Sequence, residues 1–136
     1  VDPVTKANRL IAEPFAGIPA KHVLMPAGVI DGYFSPRAEA ALAVNLKAPL
    51  VGPEVEPFLP ASLRLAGQQA ITYPVQSNIN GKTGAVIQYA SENTKGHYVL
   101  FNQDGARFQY TCFLASVGTP GGAKISAPAA LDTPCP

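Results

Sequence analysis

Two residues of this chain have types and settings suited to proton transfer, Asp31 and His97. Asp31 lies in the motif Gly-Val-Ile-Asp-Gly at residues 28–32, directly behind an apolar run, and His97 stands between Gly96 and Tyr98. A carboxylate that orients a histidine, and a histidine that takes a proton from a nucleophile, form two thirds of a hydrolytic triad. Covalent acyl transfer also needs the nucleophile. Because the chain has no Gly-x-Ser-x-Gly motif, we expect it to be part of an enzyme.

The serines of the chain are poor candidates for the missing nucleophile. The closest approximation to the motif is Leu-Ala-Ser-Val-Gly at residues 114–118, where leucine replaces the first glycine. Ser116 then falls at a predicted helix end, where the alternative is an ordinary helix-surface hydroxyl. No strand-turn-helix setting surrounds the other serines, which are Ser35, Ser62, Ser77, Ser91 and Ser126. The sequence therefore predicts a nucleophile on other polypeptide.

The elements around Asp31 and His97 predict an α/β arrangement. The continuous apolar run at residues 22–28 is typical of a strand buried on both faces. Ser35 followed by Pro36 favours a helix start, with a helix through Leu46, and residues 84–90 predict a second strand. Loops at the carboxyl ends of parallel strands meet at one rim of a sheet. We therefore expect the loops of Asp31 and His97 to lie side by side.

The remaining segments predict shorter or irregular elements. Residues 3–12 favour a helix with Asp2 as its N-cap, residues 47–60 a proline-rich loop, and residues 61–66 a helical turn. A β-run at 70–77 precedes Asn80-Gly81, a strong hairpin turn signal. Residues 98–101 predict extended chain or a turn, and residues 104–117 a helix. The apolar stripe of that helix comprises Ala106, Tyr110, Phe113, Leu114 and Val117.

The composition limits the classes of protein to which this chain can belong. The 136 residues are 47% hydrophobic and only 14% charged, which predicts one domain with a substantial core. The formal net charge is +1 and the basic residues are scattered singly, so we expect no nucleic-acid partner. No apolar run approaches the ~20 residues of a membrane span. The chain starts without Met or a signal-like segment, which predicts a processed or cut N-terminus.

The two cysteines are expected to tie down the C-terminal tail. Cys135 lies in a Pro-, Gly- and Ala-rich tail at residues 119–136, and Cys112 lies in the last predicted helix. A disulfide between them favours an oxidising compartment and a secreted or periplasmic protein, whereas two free thiols are the alternative. His22, at a strand start, predicts a structural role. Two isolated histidines and two distant cysteines lack metal-ligand spacing, so we expect no metal or cofactor.

These motifs resemble the α/β-hydrolases. In that family the acid follows the penultimate strand as an apolar run and Gly-x-x-Asp, as residues 24–31 have, and the histidine follows the last strand, often as Gly-His before a C-terminal helix. The resemblance covers roughly residues 2–117, and the order of acid and histidine agrees with the family. It implies that Asp31 orients His97, that His97 is the base, and that the nucleophile and oxyanion hole lie elsewhere.

The resemblance also implies a fold and a function. The fold is the C-terminal part of a mainly parallel α/β-hydrolase sheet at residues 1–118, with a rim insertion at about 47–83, an inserted β-hairpin, and completion by another polypeptide segment. The function is that of the C-terminal chain of a secreted serine hydrolase acting on carboxylic esters. Its partner is a preceding chain that carries Gly-x-Ser-x-Gly. An apolar edge strand left exposed by such a half-sheet would invite that partner to pair.

Other interpretations of these residues stay open. Asp31 in Asp-Gly is also typical of a turn aspartate that bonds its own backbone, and His97 is also typical of a histidine after a glycine turn. Tyr33, Phe34 and Tyr98 flank the two residues and predict either the lining of an acyl or aromatic pocket or ordinary core or rim packing. The chain as a whole would then be a non-enzymatic secreted binding module, or a hydrolase relative that has lost catalysis.

Overall fold

A small parallel sheet organises the computed structural model, which describes residues 3–91 and 95–136. Strand β1 (Val23–Gly28) pairs in parallel with β3 (Gly84–Tyr89), in register from Val23 opposite Gly84 to Gly28 opposite Tyr89. Every residue of β3 is buried, as expected of a strand covered on both faces. The predicted strands at 22–28 and 84–90 are thus confirmed, and the mixed α/β class with them.

Helices cover both faces of this sheet. Helices α2 (Pro36–Leu46) and α3 (Phe58–Leu65) share one apolar core with Met25, Ala27 and Val86. Helix α5 (Asp104–Ser116) packs on the other face, where Ile87 and Tyr89 contribute to a second core. Ser35 caps α2 by accepting a hydrogen bond from the Ala38 amide, as its position before Pro36 predicts.

Several predicted elements have different bounds. The helix expected at residues 3–12 is α1 (Pro3–Lys6) followed by a 3-10 turn at Ala7–Arg9, and its proposed cap Asp2 lies outside the described residues. The helical turn expected at 61–66 begins earlier, at Phe58, because Glu56 accepts hydrogen bonds from the first amides of α3. The chain at 98–101 is helical rather than extended, with a 3-10 turn at Gly96–Tyr98 leading into α4 (Val99–Asn102).

Part of the segment at residues 47–83 extends the sheet beyond β3 through single bridges. Leu50 forms a parallel bridge with Val86, and Val51 forms one with Ile71. Asn80 and Gly81 form the expected tight turn, with Ile79 and Lys82 bridged across it. The hairpin is one bridge long, however, because β2 (Val75–Gln76) pairs with β4 (Lys124–Ile125) and β3 pairs with β1.

The C-terminal tail is anchored by packing and by a disulfide. Ile125 of β4 is fully buried, and Cys112 is bonded to Cys135. The predicted stripe of α5 is partly wrong, since Leu114 and Val117 are exposed while Phe108, Gln109 and Cys112 are buried. Gln109 faces inward because it bonds both the Tyr89 hydroxyl and the Ser126 carbonyl. Within residues 3–91 and 95–136 no helix is long and apolar enough to cross a membrane.

Candidate active site

The loops that carry Asp31 and His97 lie at the same end of the sheet. They follow β1 and β3, which are adjacent and parallel, so both loops leave from carboxyl ends. An antiparallel bridge between Asp31 and Lys95 joins the loops, and the Gly96 amide donates a hydrogen bond to the Ile30 carbonyl at 3.3 Å. The expected juxtaposition of the two residues therefore arises from the topology of the sheet.

Two glycines allow the loops to come this close. A Cβ on Gly28 would lie 1.9 Å from the carbonyl oxygen of Gly96, and a Cβ on Gly96 would lie 2.5 Å from that of Gly28. Neither contact is compatible with a side chain unless the backbone moves. Gly28 and Gly96 thus have a positional role beyond making turns, because their contact sets the distance between Asp31 and His97.

The Asp31 carboxylate is held by two backbone amides and by His97. Its Oδ1 accepts hydrogen bonds from the amides of Tyr33 at 2.6 Å and Phe34 at 3.1 Å, while Oδ2 lies 3.1 Å from His97 Nδ1. Asp31 is thus both a turn aspartate and the partner of a histidine. Burial of the side chain, which is only 7% exposed, acts to raise the pKa of Asp31, but the two amides and His97 outweigh it and lower that pKa.

His97 presents one ring nitrogen to Asp31 and leaves the other available. An ionised carboxylate at Nδ1 favours the tautomer in which Nδ1 carries the proton and donates it. Nε2 then has a free lone pair, and no residue in the described part of the chain hydrogen-bonds to it. The side chain is 36% exposed. This arrangement is that of a histidine prepared to accept a proton at Nε2.

Three aromatic side chains surround the imidazole ring. The ring centroids of Tyr33, Phe34 and Tyr98 lie 4.5, 6.1 and 5.1 Å from that of His97. The Tyr98 hydroxyl also donates a hydrogen bond to the Tyr33 hydroxyl at 3.4 Å. All three residues are exposed, so they form the rim of the site and do not belong to either core.

An apolar groove of about 570 Å³ runs from His97 and Asp31 along β1. Its walls include Leu24, Leu42, Leu46, Val99 and Leu100.

Glu39, on α2, also lines this groove and was missed from the sequence. Burial, with the nearby Asp31 and Glu56 carboxylates, raises the pKa of Glu39 to about 7. The spacing of residues 39, 42 and 46 places Glu39 on the apolar face of α2, which is the signal that could have found it.

The described residues do not complete the triad. Ser35 caps α2, and Ser116 accepts a hydrogen bond from the Lys124 amide while donating to the Phe113 carbonyl. His22 has the structural role expected of it, because its Nδ1 accepts from the Thr83 amide at 3.0 Å. Among residues 3–91 and 95–136 no three His, Cys, Asp or Glu side chains are grouped to hold a metal ion.

Comparison with known proteins yields no relative for this chain. No protein-family model matches it, and neither a curated protein nor a solved structure matches it significantly. Any functional inference consequently depends on the geometry at Asp31 and His97.

Proposed function

We propose that this chain supplies the acid and the base of a serine hydrolase that acts on carboxylic esters, with the nucleophilic serine on polypeptide outside these 136 residues. The observation that carries the proposal is the Asp31–His97 pair, 3.1 Å apart, at the carboxyl ends of adjacent parallel strands. The proposed fold is the C-terminal part of an α/β-hydrolase sheet. The Cys112–Cys135 disulfide favours a secreted or periplasmic location.

The two residues would divide the chemistry. His97 Nε2 accepts the proton of the serine hydroxyl as the serine oxygen attacks the ester carbonyl, and then gives that proton to the departing alcohol. Asp31 remains ionised throughout, holds the proton-bearing Nδ1 in place and stabilises the imidazolium. In the second half of the reaction His97 accepts a proton from water as the water oxygen attacks the acyl-enzyme. His97 then returns that proton to the serine oxygen as the acid is released. The low pKa of Asp31 suits this role, since the carboxylate stays charged at neutral pH.

The open edge of β1 supports completion by another segment. The Val23 amide donates to the Thr83 carbonyl and the Val29 amide to the Tyr89 carbonyl. The amide and carbonyl of Leu24, and the carbonyl of Pro26, which has no amide, therefore point away from β3. Among the described residues β1 pairs only with β3. The apolar groove follows this edge. An unpaired, apolar strand edge is a site at which another strand adds, which places a partner segment beside His97 in the proposed assembly.

The test is active-site labelling of the natural protein together with every segment that accompanies these residues. The material is treated with a fluorophosphonate, which modifies activated serines, and analysed by intact mass spectrometry before and after reduction. We expect one labelled serine, outside this chain, and slowing of its labelling by about 10³-fold or more in His97→Ala. The matched control is His22→Asn, whose amide oxygen can replace Nδ1 as the acceptor for Thr83; it should label at the normal rate.

Three outcomes would contradict the proposal. Labelling that does not depend on His97 would separate the histidine from any nucleophile. Labelling of one of the six serines of this chain would place the nucleophile where we do not expect it. A single unlabelled 14.2 kDa species would favour the non-enzymatic binding module.

A further inference from the structure

The aromatic residues around His97 are unusually exposed for their size. Tyr33 is 69% exposed, Phe34 56% and Tyr98 42%, although all three contact the imidazole. A contiguous exposed apolar patch beside a reactive group is typical of a recognition surface. The patch belongs to two loops, at residues 31–34 and 96–98, that the Asp31–Lys95 bridge holds together. The bridge therefore holds the patch in a fixed position relative to Asp31 and His97.

The ring orientations suit another ring. Phe34 is nearly parallel to His97, at an interplanar angle of 10°, and Tyr98 is perpendicular to it, at 87°. Tyr33 and Tyr98 are also perpendicular to each other, with centroids 6.2 Å apart. Aromatic pairs favour offset-stacked and edge-to-face geometries at these separations. The patch thus offers both faces and edges to a planar group.

The chemistry of the histidine determines which half of an ester would meet this patch. In the proposed reaction His97 Nε2 gives its proton to the oxygen of the departing alcohol, so that oxygen must lie within hydrogen-bond reach of the imidazole. Side chains packed around the imidazole consequently contact the alcohol half. The groove along β1 has aliphatic walls and differs from the patch in chemistry. The two surfaces meet at His97 and Phe34.

We propose that Tyr33, Phe34 and Tyr98 form a subsite for an aromatic leaving alcohol. This inference rests on the proposed ester hydrolysis and adds a substrate class to it, namely esters whose alcohol carries an aryl ring. Because Tyr98 donates to the Tyr33 oxygen, the Tyr33 hydroxyl hydrogen remains available to a polar substituent on that ring.

The test compares two alcohols of similar size on the natural protein, together with every segment that accompanies these residues. Benzyl alcohol and cyclohexylmethanol differ in aromaticity, and their binding is followed by NMR through the ring signals of Tyr33, Tyr98 and His97. We expect benzyl alcohol to bind about three- to tenfold more tightly, as one additional aromatic contact provides. Tyr33→Leu, which keeps apolar bulk but removes the ring, should cancel that preference. The control Phe15→Leu changes a similarly exposed ring, 55% exposed and beside Arg9, and should leave it unchanged.

The outcomes separate this inference from the proposed function. Equal affinities for the two alcohols, or a preference that survives Tyr33→Leu with the amide spectrum intact, would overturn the aromatic subsite even if fluorophosphonate labelling depends on His97. If the preference for the aromatic alcohol is present but no serine is labelled, the proposed ester hydrolysis is wrong. The assignment of the bound ring to a leaving alcohol is then wrong as well.

Discussion

The two histidines of the chain occupy opposite ends of the same sheet and differ in what faces Nδ1. His22 precedes β1, and its Nδ1 accepts a hydrogen bond from the Thr83 amide. Its proton must therefore lie on Nε2 when the ring is neutral. His97 follows β3, and its Nδ1 faces the Asp31 carboxylate, which favours the opposite tautomer. One ring is a hydrogen-bond acceptor within the fold, whereas the other has its Nδ1 at a carboxylate and lies in a side chain that is 36% exposed.

The electrostatic surroundings differ in the same sense. Burial and the neighbouring Lys82 lower the pKa of His22, so that ring stays neutral at pH 7. At the other end of the sheet, Asp31 is in hydrogen-bond contact with His97, and Glu39 lines the same groove. A carboxylate stabilises an imidazolium, whereas a lysine opposes one. The two ends of the sheet therefore differ in the group beside each histidine, which is a lysine at His22 and a carboxylate at His97.

Asp31→Asn should abolish this difference between the two histidines. The side-chain amide can keep the fold of the turn but no longer holds Nδ1–H or stabilises the imidazolium, so fluorophosphonate labelling of the assembled protein should slow by about 10⁴-fold. The control is Asp104→Asn, which changes an exposed carboxylate at the start of α5. A labelling rate within a few-fold of normal in Asp31→Asn would show that the two histidines are not distinguished by their Nδ1 partners.

Gly96→Ala should move His97 away from Asp31 and leave His22 in place. The added Cβ would lie 2.5 Å from the Gly28 carbonyl oxygen and 2.6 Å from that of Val29, so the loop must shift. We expect unfolding to be easier by about 1–3 kcal/mol, as for other overpacked sites, with loss of the Asp31–His97 hydrogen bond while the His22 signals stay unchanged. Gly118→Ala is the matched control, because its Cβ would meet nothing within 4 Å. Equal stability of both variants would contradict the close-approach argument.

The candidate pair could be predicted from the sequence because short-range signals define it. Apolar runs followed by glycine place Asp31 and His97 after strands, and parallel strands bring such loops together. The contact itself depends on the approach of Gly28 to Gly96, which joins residues far apart in the chain. No local pattern predicts a contact of that kind.

Other features that local patterns do not reveal depend on tertiary contacts in the same way. Residues 47–60 lack periodicity, but Leu50 and Val51 join the sheet through single bridges that a local pattern cannot reveal. In α5 the hydrophobic residue Leu114 is exposed and the polar residue Gln109 is buried. Gln109 is tolerated there because Tyr89 and Ser126 satisfy its amide group. Hydrophobic periodicity locates the helix, while its orientation is decided by partners elsewhere in the chain.

Glu39→Gln should change how the stability of the folded chain depends on pH. Burial and the carboxylates of Asp31 and Glu56 raise the pKa of Glu39 to about 7 in the folded chain, from 4.5. The folded state thus binds this proton more tightly than the unfolded state does. The stability that the group contributes is fully present below pH 4.5 and is lost as pH rises through 7. Partial exposure limits the loss to on the order of 1–2 kcal/mol.

Glutamine keeps the shape of Glu39 without the charge, so the variant should be more stable than the natural chain at pH 8, and the gain should disappear near pH 4.5. Urea unfolding midpoints at both pH values measure this difference, with Asp132→Asn as a control at an exposed site. His22 gives the opposite sign at the other end of the sheet, since its lowered pKa contributes stability that is lost as pH falls below about 6.5. Equal midpoint changes at pH 8 and pH 4.5 in Glu39→Gln would show that the two ends of the sheet do not differ in charge as the structure indicates.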